Sequence, residues 1–589
     1  MRYHALATDY DGTLAHDGRV NEATLAGLER LLGTGRKLIL VTGRELPDLL
    51  SIFPEVHLFA WVVAENGALL YRPSTKEERP LAAPPPAKFV RTLKQRGVEQ
   101  VSVGRAIVAT WQPYEKTVLD TIRDLGLELQ VIFNKGAVMV LPAGVNKATG
   151  LTAALKEMDL SAHEVVGVGD AENDHAFLSL CECGVAVANA LPAVKQRADL
   201  VTRGDHGAGV VELIGRLVDD DLRDLEGRLT RHHLPLGTAE DGKPVRLRPH
   251  GAGVLIAGPS GSGKSTAATS FLEALAEQHY QFCITDPEGD YDSLPLAITL
   301  GGPQRGPTVD EILQLLKRPE ENAVVNLVGL PLADRPPFFL ALLTRLLEMR
   351  ARTGRPHWLV VDEAHHLLPA SWEPGTLALP QGLKSTLFIT VHPNQVAAAA
   401  LASVGSVVAV GKAPEETVRQ FCGVVKEKPP GVPAGALQAG EVMFWARGAG
   451  QPPRKVRVTP SRTERQRHTR KYAEGELPPE RSFYFRGPDR KLNLRAQNLM
   501  LFLQMADGVD DETWRHHLRA GEYSRWFREA IKDEALASEA EGVERRADLP
   551  AAESRKLIRA AVERRYTQPA SSPLPMPGTD AERVRAPAE

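Results

Sequence analysis

The sequence predicts an α/β protein with two successive sheets and a smaller, mainly helical module near its C-terminal end. Residues 1–217 and about 254–458 each alternate short runs rich in Val, Ile and Ala with amphipathic segments. Strands that are apolar on both faces and are separated by helices are typical of parallel sheets. The 589 residues also exceed what one hydrophobic core supports, so roughly three or four compact units are expected.

Composition describes an ordinary soluble chain. Apolar residues make up 43%, charged residues 25%, and the net charge is -3, which gives no global attraction to nucleic acid or acidic lipid. We find no signal peptide pattern and no apolar run long enough to cross a membrane, so a cytoplasmic protein without membrane contact is expected. The four cysteines are too few and scattered for a disulfide framework, so reduced thiols are predicted.

The first domain is predicted over residues 1–217. Its clearest candidate strands are LILVTG, WVVAENG and EVVGVGD. A proline-rich segment, RPLAAPPPAKF, interrupts this alternation and is followed by two further candidate strands and a helix around Glu115 to Leu125. We therefore expect a small inserted α+β cap over about residues 78–143.

Two aspartates follow the first apolar run of the chain. Asp9 and Asp11 stand two residues apart in DYDGT, so in extended chain they face the same side. One carboxylate can attack phosphorus as a nucleophile, while the other protonates the leaving oxygen and then activates water. This spacing predicts a phosphoryl-transfer site with Asp9 and Asp11 as catalytic residues.

The remaining residues that such a site needs follow later strands. Thr42, after LILV, can donate a hydrogen bond to phosphate, and Lys147 can supply a positive charge. Asp170 and Asp174, in GVGDAEND, suit a Mg²⁺ ion held by a few carboxylates. The predicted metal ligands on this side of the chain are Asp9, Asp11, Asp170 and Asp174.

These motifs, in this order, resemble those of the haloacid dehalogenase superfamily. The form GDAEND, the segment AENGALLY and the inserted cap are similar to its Cof-type branch, which includes sugar-phosphate, sucrose-phosphate and phosphoglycolate phosphatases. The resemblance implies a Rossmann-like parallel sheet, Asp9 as nucleophile, Asp11 as acid and base, and a small phosphorylated substrate.

A second constellation follows a linker and entry strand predicted over residues 218–250. The segment GPSGSGKST lies between the candidate strand VLIA and a helical run, which is the context of a P-loop that binds the phosphates and Mg²⁺ of ATP. Lys264 would reach the β and γ phosphates, and Ser265 the metal. The predicted nucleotide-binding residues here are Gly258, Ser260, Gly261, Ser262, Gly263, Lys264, Ser265 and Thr266.

An acidic pair ends another candidate strand of this second domain, predicted over residues 251–458. In HWLVVDEAHH, Asp362 would contact the outer shell of the metal and Glu363 would polarise the attacking water. An acidic residue directly after the metal aspartate favours hydrolysis over transfer to a substrate hydroxyl. Thr390 and His392 end a further strand, where His392 could sense the γ-phosphate or simply lie in a turn.

Together these segments resemble the HerA/FtsK branch of P-loop ATPases. The resemblance rests on LPLGTAEDGKPV, ITDPEGDY, DEAHHLLP and TVHPNQV. It implies a homo-oligomer, commonly a hexamer, in which an arginine of a neighbouring subunit completes the site. The sequence leaves four candidates open for that role: Arg345, Arg350, Arg352 and Arg355.

The C-terminal part is predicted to contain a basic linker at 459–481, a small helical module at 482–545 and a disordered tail at 546–589. The basic run from Arg454 to Lys471 could neutralise DNA phosphates or be a solvated linker. The module is read as an interaction or regulatory domain, and its aromatic residues recur at helical spacing, which indicates a core. The predicted core residues are Trp514, Leu518, Tyr523, Trp526 and Phe527.

The sequence therefore predicts a bifunctional hydrolase. One part would be a Mg²⁺-dependent phosphomonoesterase working through an aspartyl-phosphate, and the other would hydrolyse ATP. Two alternatives stay open: a DNA-associated ATPase or translocase with an accessory phosphatase, and a kinase-phosphatase of nucleic-acid end repair.

Overall fold

The structure, a computed structural model, describes residues 1–566 except 135, 260, 373–382, 434–436, 463–476, 478, 490, 532 and 547–548. It divides into two units, Met1–Thr463 and Glu464–Glu589. The first contains two large sheets with helices on both faces and a smaller cap sheet, which confirms the predicted α/β class. Among the described residues, no helix is both long and apolar enough to cross a membrane.

The first sheet has eight strands, and six of them run parallel. Its spatial order is Leu200–Val201, Cys183–Ala186, Val165–Gly169, Ala5–Thr8, Lys37–Val41, Trp61–Ala64, Leu69–Arg72 and Glu77–Pro80, the last two being antiparallel. The central strands are fully buried because helices cover both faces. These helices are Glu22–Leu32, Leu46–Ile52, Lys147–Glu157, His175–Leu180, Pro192–Arg197 and His206–Asp220.

The cap is a separate four-stranded antiparallel sheet with two helices. Its strands, in spatial order, are Ser102–Val103, Val108–Trp111, Ala137–Pro142 and Leu129–Asn134, and its helices are Ala87–Gln95 and Glu115–Asp124. The predicted α+β character of the cap is confirmed. Strand Glu77–Pro80, which lies at the predicted start of the cap, pairs instead with the main sheet.

The second sheet has eleven strands. In spatial order they are Pro244–Leu247, Leu234–Ala239, Arg454–Val458, Glu441–Ala446, Val404–Ala409, Gly253–Ala257, Thr386–Thr390, Trp358–Val361, Phe282–Asp286, Ala323–Asn326 and Ile298–Leu300. The strands from Val404–Ala409 to Ile298–Leu300 are parallel, and two hydrophobic cores lie on the two faces. The covering helices are Lys264–Glu277, Val309–Leu316, Arg335–Thr353, Ala364–Leu367, Ala398–Leu401 and Pro414–Val425.

The predicted linker at 218–250 contains more structure than one entry strand. Leu234–Ala239 and Pro244–Leu247 form an antiparallel hairpin, and Leu234–Ala239 also pairs with Arg454–Val458. The hairpin therefore extends the second sheet, and Arg454–Val458, the start of the predicted basic run, is one of its strands.

Polar side chains join the two sheets at a junction. Glu182 accepts hydrogen bonds from Arg2 at 2.7 Å and from the hydroxyl of Tyr280 at 3.0 Å, and its carboxylate lies 2.7 Å from Nδ1 of His163. Glu164 lies 3.3 Å from Nε2 of His357. All these residues immediately precede strands or lie within three residues of one, so the junction joins the amino-terminal edges of the two sheets.

The C-terminal unit has its own core around a two-stranded sheet, Phe483–Phe485 with Leu494–Ala496. Its helices are Leu499–Gly508, Asp511–Arg519, Glu522–Trp526, Glu534–Glu544 and Ala551–Tyr566, with a π-helical turn at Phe527–Ile531. The five predicted core residues are all buried here: Trp514, Leu518, Tyr523, Trp526 and Phe527.

One expectation for this unit is wrong. The tail predicted as disordered contains the helix Ala551–Tyr566, and Ile558 and Val562 are fully buried in the core of the unit. The helix escaped prediction because its many charged residues mask a narrow apolar stripe. The end of the predicted tail, 567–589, and residues 463–476 of the basic linker lie outside the described residues.

Candidate active sites

The first candidate site lies where three neighbouring strands of the first sheet end. Asp9, Thr42 and Asp170 directly follow strands Ala5–Thr8, Lys37–Val41 and Val165–Gly169, which lie side by side. Because neighbouring parallel strands end at the same edge of a sheet, the three side chains lie at one edge. The structure thus brings together residues that are 161 positions apart in the sequence.

Lys147 is the centre of this site. It begins helix Lys147–Glu157, whose N-terminus is fixed by a capping box at Asn146. Its Nζ donates to Oδ1 of Asp9 and to Oδ1 of Asp174, both at 2.6 Å. Lys147 is 2% exposed and Asp9 4%, so this is a buried ion cluster. Burial alone would lower the pKa of Lys147, but the two carboxylates hold that pKa above its usual range.

Three carboxylates meet closely enough to hold a cation. One oxygen each of Asp9, Asp170 and Asp174 lies within 4.8 Å of the other two. Amides of Asp170 and Ala171 donate to Oδ2 of Asp174, which fixes that side chain. Burial raises the pKa of the Asp9 carboxyl well above its usual range, against the opposing effect of Lys147. The site therefore has more buried negative charge than Lys147 offsets, and its oxygen donors suit a hard divalent cation.

The carboxylate of Asp11 contacts an arginine instead of the other three carboxylates, and its predicted role as a metal ligand stays a prediction. Its carboxylate accepts a bidentate pair of hydrogen bonds from Arg44, both at 2.7 Å, and Arg44 also pairs with Asp48. The side chain of Asp11 therefore lies outside the three-carboxylate group. Its predicted role as acid and base stays a prediction, and Arg44 is a neighbour that the sequence reasoning did not identify, although it stands in the TGR segment.

Two asparagines and a glutamate link this edge to the cap. Asn173 donates to Asn66 at 2.8 Å, and Asn66 donates to the sulfur of Met139 in the cap at 2.6 Å. The fully buried carboxylate of Glu65 accepts from the amides of Arg105 and Ala106 in the cap. The signal for these contacts was the segment AENG, which the sequence analysis used only for the resemblance.

The second candidate site is the P-loop between strand Gly253–Ala257 and helix Lys264–Glu277. Gly258 adopts a φ of 152°, and a Cβ there would come within 2.2 Å of the carbonyl oxygen of Val410. Lys264 folds back over the loop, donating to the carbonyls of Gly258 at 2.9 Å and Pro259 at 3.0 Å. The loop is thus folded around its lysine.

The other predicted P-loop residues that the structure describes lie in the loop or in the first turn of the helix that follows it. Gly261 and Gly263 have positive φ angles of 74° and 102°, and the hydroxyl of Ser262 donates to the carbonyl of Pro259. Ser265 and Thr266 lie in the first turn of helix Lys264–Glu277. Ser260 lies outside the described residues.

The predicted acidic pair lies at the same edge of this sheet. Asp362 follows strand Trp358–Val361, and strand Thr386–Thr390 separates it from the P-loop strand. Burial, with the neighbouring Glu363, raises the pKa of Asp362 well above its usual range. Glu363 has a φ of 41°, a left-handed conformation that costs about 1–3 kcal/mol for a non-glycine residue and is common at active sites.

Thr390 ends the strand that lies between the P-loop strand and the strand before Asp362, and His392 follows two residues later. The backbone amide of His392 donates to the hydroxyl of Thr390 at 3.1 Å, while the imidazole of His392 is exposed. The hydroxyl of Thr390 also lies 3.1 Å from Nδ1 of His365. His365 stands in the segment DEAHH, in which the sequence pattern indicated no role for it.

Two of the four candidate arginines donate hydrogen bonds to backbone carbonyls of this chain. Arg355 is fully buried and donates to the carbonyls of Leu316 and Asp159, and Arg350 donates to three backbone carbonyls. Arg345 and Arg352 are exposed on helix Arg335–Thr353. Of the four, Arg345 and Arg352 are therefore the exposed ones, and the role of either in a neighbouring subunit stays a prediction.

Comparison with known proteins finds similarity in both domains. Residues 6–116 and 111–214 match the haloacid dehalogenase-like hydrolases, and residues 245–389 match the AAA ATPase domain. The chain is 30% identical over 222 residues to phosphoglycolate phosphatase 2 of Saccharolobus solfataricus, covering 37% of this chain and 93% of that protein. It is 30% identical over 225 residues to the phosphoglycolate phosphatase of Methanothermobacter thermautotrophicus, covering 36% and 98%.

A solved haloacid dehalogenase-like hydrolase from Bacteroides thetaiotaomicron is 20% identical, with a TM-score of 0.33, covering 36% of this chain and 99% of its own. The family matches over residues 6–214 and 245–389 confirm the predicted phosphatase and P-loop ATPase domains. None of them tests the narrower HerA/FtsK assignment, which stays a prediction.

Proposed function

This chain belongs to the haloacid dehalogenase-like hydrolases through residues 6–214 and carries an AAA ATPase domain at 245–389, and from this premise we propose two hydrolytic activities. The first is Mg²⁺-dependent hydrolysis of a small phosphomonoester through an aspartyl-phosphate on Asp9. The second is hydrolysis of ATP with Glu363 as the base. The observation that supports the phosphomonoesterase activity is the position of Lys147, whose Nζ lies 2.6 Å from Oδ1 of Asp9 and 2.6 Å from Oδ1 of Asp174.

The chain's own groups supply each step of the phosphatase reaction. An oxygen of Asp9 attacks phosphorus, the bond from phosphorus to the ester oxygen breaks, and that oxygen takes a proton from Asp11. Asp11 then takes a proton from water, whose oxygen attacks phosphorus and releases Asp9. Lys147 and the hydroxyl of Thr42 stabilise the phosphoryl oxygens, and Arg44 orients Asp11.

Asp9, Asp170 and Asp174 are the residues that would hold Mg²⁺. Their carboxylates lie within 4.8 Å of one another, and the charge of three carboxylates exceeds that of the one lysine between them. When bound, the ion would reduce the repulsion between Asp9 and the phosphate dianion.

We propose a small phosphorylated carboxylic acid, with 2-phosphoglycolate tested first, as substrate. The support is the name shared by the two relatives, phosphoglycolate phosphatase, and the cap that contacts the site through Met139 and Asn66. A cap so close to the catalytic edge favours small molecules over polymers.

Each candidate site lies at the end of its sheet opposite the junction. Both sheets meet at their amino-terminal edges, so each site lies about one strand length, roughly 16 Å, beyond the junction. Kinase-phosphatase end repair, in which both sites treat one nucleic-acid end, is not favoured by this arrangement. DNA-stimulated translocation and a hexamer stay predictions.

The decisive experiment measures phosphate release from a phosphoester panel and from ATP, with Mg²⁺ or with excess EDTA. We compare wild type, Asp9→Asn and Lys264→Ala. We expect Asp9→Asn to lose about 10³-fold or more of phosphomonoesterase activity and to keep ATPase activity.

Unchanged phosphomonoesterase activity in Asp9→Asn, or in EDTA, would refute the proposed chemistry. Loss of ATPase alone in Lys264→Ala would show independent sites. Loss of both activities in that variant would show that nucleotide controls the phosphatase.

A further inference from the structure

His365 lies beside the proposed base of the ATPase and faces a hydroxyl on the neighbouring strand. Its Nδ1 is 3.1 Å from Oγ1 of Thr390 and 3.4 Å from Oε2 of Glu363. The His365 side chain is 12% exposed and that of Glu363 11%, so both lie in a largely water-free environment. In such an environment the contacts of one N–H group have large effects on orientation.

The protonation of the ring follows from these neighbours. Burial, with the nearby His366, His392 and Lys264, lowers the pKa of His365 to about 4, so the ring is neutral at pH 7 and carries one N–H. An unprotonated Nδ1 would direct its lone pair at the charge of Glu363, whereas an N–H there is attracted by both oxygens. The proton therefore belongs on Nδ1.

Thr390 connects this ring to the nucleotide side of the sheet. Its strand lies between the P-loop strand and the strand that ends before Asp362. The Thr390 hydroxyl oxygen accepts a hydrogen bond from the backbone amide of His392. An N–H on Nδ1 of His365 gives this oxygen a second donor. The hydrogen of the Thr390 hydroxyl is then available for another acceptor. That edge is where the γ-phosphate of ATP would lie.

We propose that His365 is a positioning residue of the ATPase, which through Nδ1–H orients the Glu363 carboxylate and the Thr390 hydroxyl for attack on the γ-phosphate. In that step the water oxygen attacks γ-phosphorus, and Glu363 takes the water proton. The bond from γ-phosphorus to the β–γ bridging oxygen breaks, and ADP leaves with that oxygen. His365 keeps its proton throughout. The inference rests on the proposed role of Glu363.

The adjacent His366 offers a matched control. It lies in the same four-residue helix, Ala364–Leu367, but its side chain is exposed. The packing of that helix comes from the fully buried Ala364 and Leu367. Substituting either histidine therefore leaves the apolar contacts of the helix in place.

The experiment measures ATP turnover and nucleotide affinity in the full chain for His365→Leu, His365→Asn, His366→Ala and Glu363→Gln. We expect His365→Leu to lose about 10²-fold in kcat, because a small misplacement of a reacting group has this effect. Nucleotide Kd should change by less than about threefold. Asn places an N–H near the position of Nδ1 and should recover about tenfold of that loss, whereas His366→Ala should stay within about twofold of wild type.

Wild-type kcat in His365→Leu, or an equal loss in His366→Ala, would overturn the inference. So would an Asn variant no better than Leu while phosphomonoesterase activity, which reports folding of the same unit, is retained. A pH profile whose acid limb disappears in the Asn variant would instead make His365 the base and would also overturn it. Full turnover in Glu363→Gln would refute the proposed base itself, which distinguishes the two failures.

Discussion

At the residue scale, Lys147 controls the electrostatics of the phosphatase site. It is the cation that the described structure places in direct contact with Asp9 and Asp174, and all three side chains are at most 5% exposed. A buried charge without a partner is strongly unfavourable, so the site depends on the lysine for stability as well as for chemistry.

We expect Lys147→Met to abolish phosphomonoesterase activity and to lower the free energy of unfolding by about 3–5 kcal/mol at pH 7, because it leaves buried carboxylates uncompensated. The loss should shrink as pH falls from 7 to 5, because burial raises the pKa of Asp9 and a protonated carboxyl no longer needs a cationic partner. Urea unfolding at both pH values measures this, with the exposed Lys88→Met as control. A stability equal to that of wild type would contradict the electrostatic role.

At the element scale, the helix that presents Lys147 depends on a close approach to the sheet. Gly150 lies on the buried side of helix Lys147–Glu157, and a Cβ there would come within 2.4 Å of Val63 and 2.6 Å of Gly67. The short distance sets the position of the helix N-terminus, and therefore of Lys147, relative to the strand that ends at Ala64.

We expect Gly150→Ala to lower the free energy of unfolding by about 1–3 kcal/mol through overpacking, and to reduce phosphomonoesterase activity at least about tenfold by displacing Lys147. ATPase activity should be retained. Thermal unfolding and both assays measure the outcome.

Gly215→Ala is the matched control for that helix variant. Gly215 lies inside helix His206–Asp220, and an added Cβ there meets no atom within 4 Å. This substitution should stabilise the protein by roughly 0.5–1 kcal/mol, because alanine is a better helix former. Equal effects of the two alanines would show that close packing at Gly150 is unimportant.

At the scale of the whole first unit, the junction joins the two sheets through buried ionisable groups. Glu164 is 2% exposed, accepts the amide of Ser161 at 2.9 Å, and lies 3.6 Å from Nε of Arg355. Burial raises the pKa of Glu164 to about 8, although Arg355 and the Ser161 amide act in the opposite direction. The junction therefore contains a carboxyl group that is protonated at neutral pH.

This raised pKa predicts a loss of stability as pH rises. Between about pH 4.5 and pH 8 the unfolded chain has released the Glu164 proton while the folded chain keeps it, so the unfolded state binds fewer protons and the free energy of unfolding falls. The total loss is on the order of 3–5 kcal/mol, at about 1.4 kcal/mol per pKa unit. Glu164→Gln should remove this dependence and be more stable than wild type at pH 8.5.

Urea midpoints at pH 5 and pH 8.5 test that prediction, with the exposed Glu99→Gln as control. Wild type and Glu99→Gln should lose stability across this range more steeply than Glu164→Gln. Parallel pH dependence in all three proteins would mean that Glu164 is ionised in the folded junction.

The sequence by itself determined the α/β class and identified most residues that meet in the two candidate sites. Asp9, Thr42, Lys147, Asp170 and the P-loop were predictable because each follows an apolar strand or begins a helix, so local pattern and chemistry coincide. The buried aromatic residues of the C-terminal unit were predictable because they recur at helical spacing.

Only the tertiary structure decided which of these groups meet. It placed Asp11 on Arg44, His365 beside Glu363, and the hairpin at Leu234–Ala239 in the second sheet. It also folded the charged segment Ala551–Tyr566 into a helix and placed each candidate site at the end of its sheet opposite the junction. These features depend on contacts between residues distant in the chain, and such contacts arise from packing and burial that no local sequence pattern encodes.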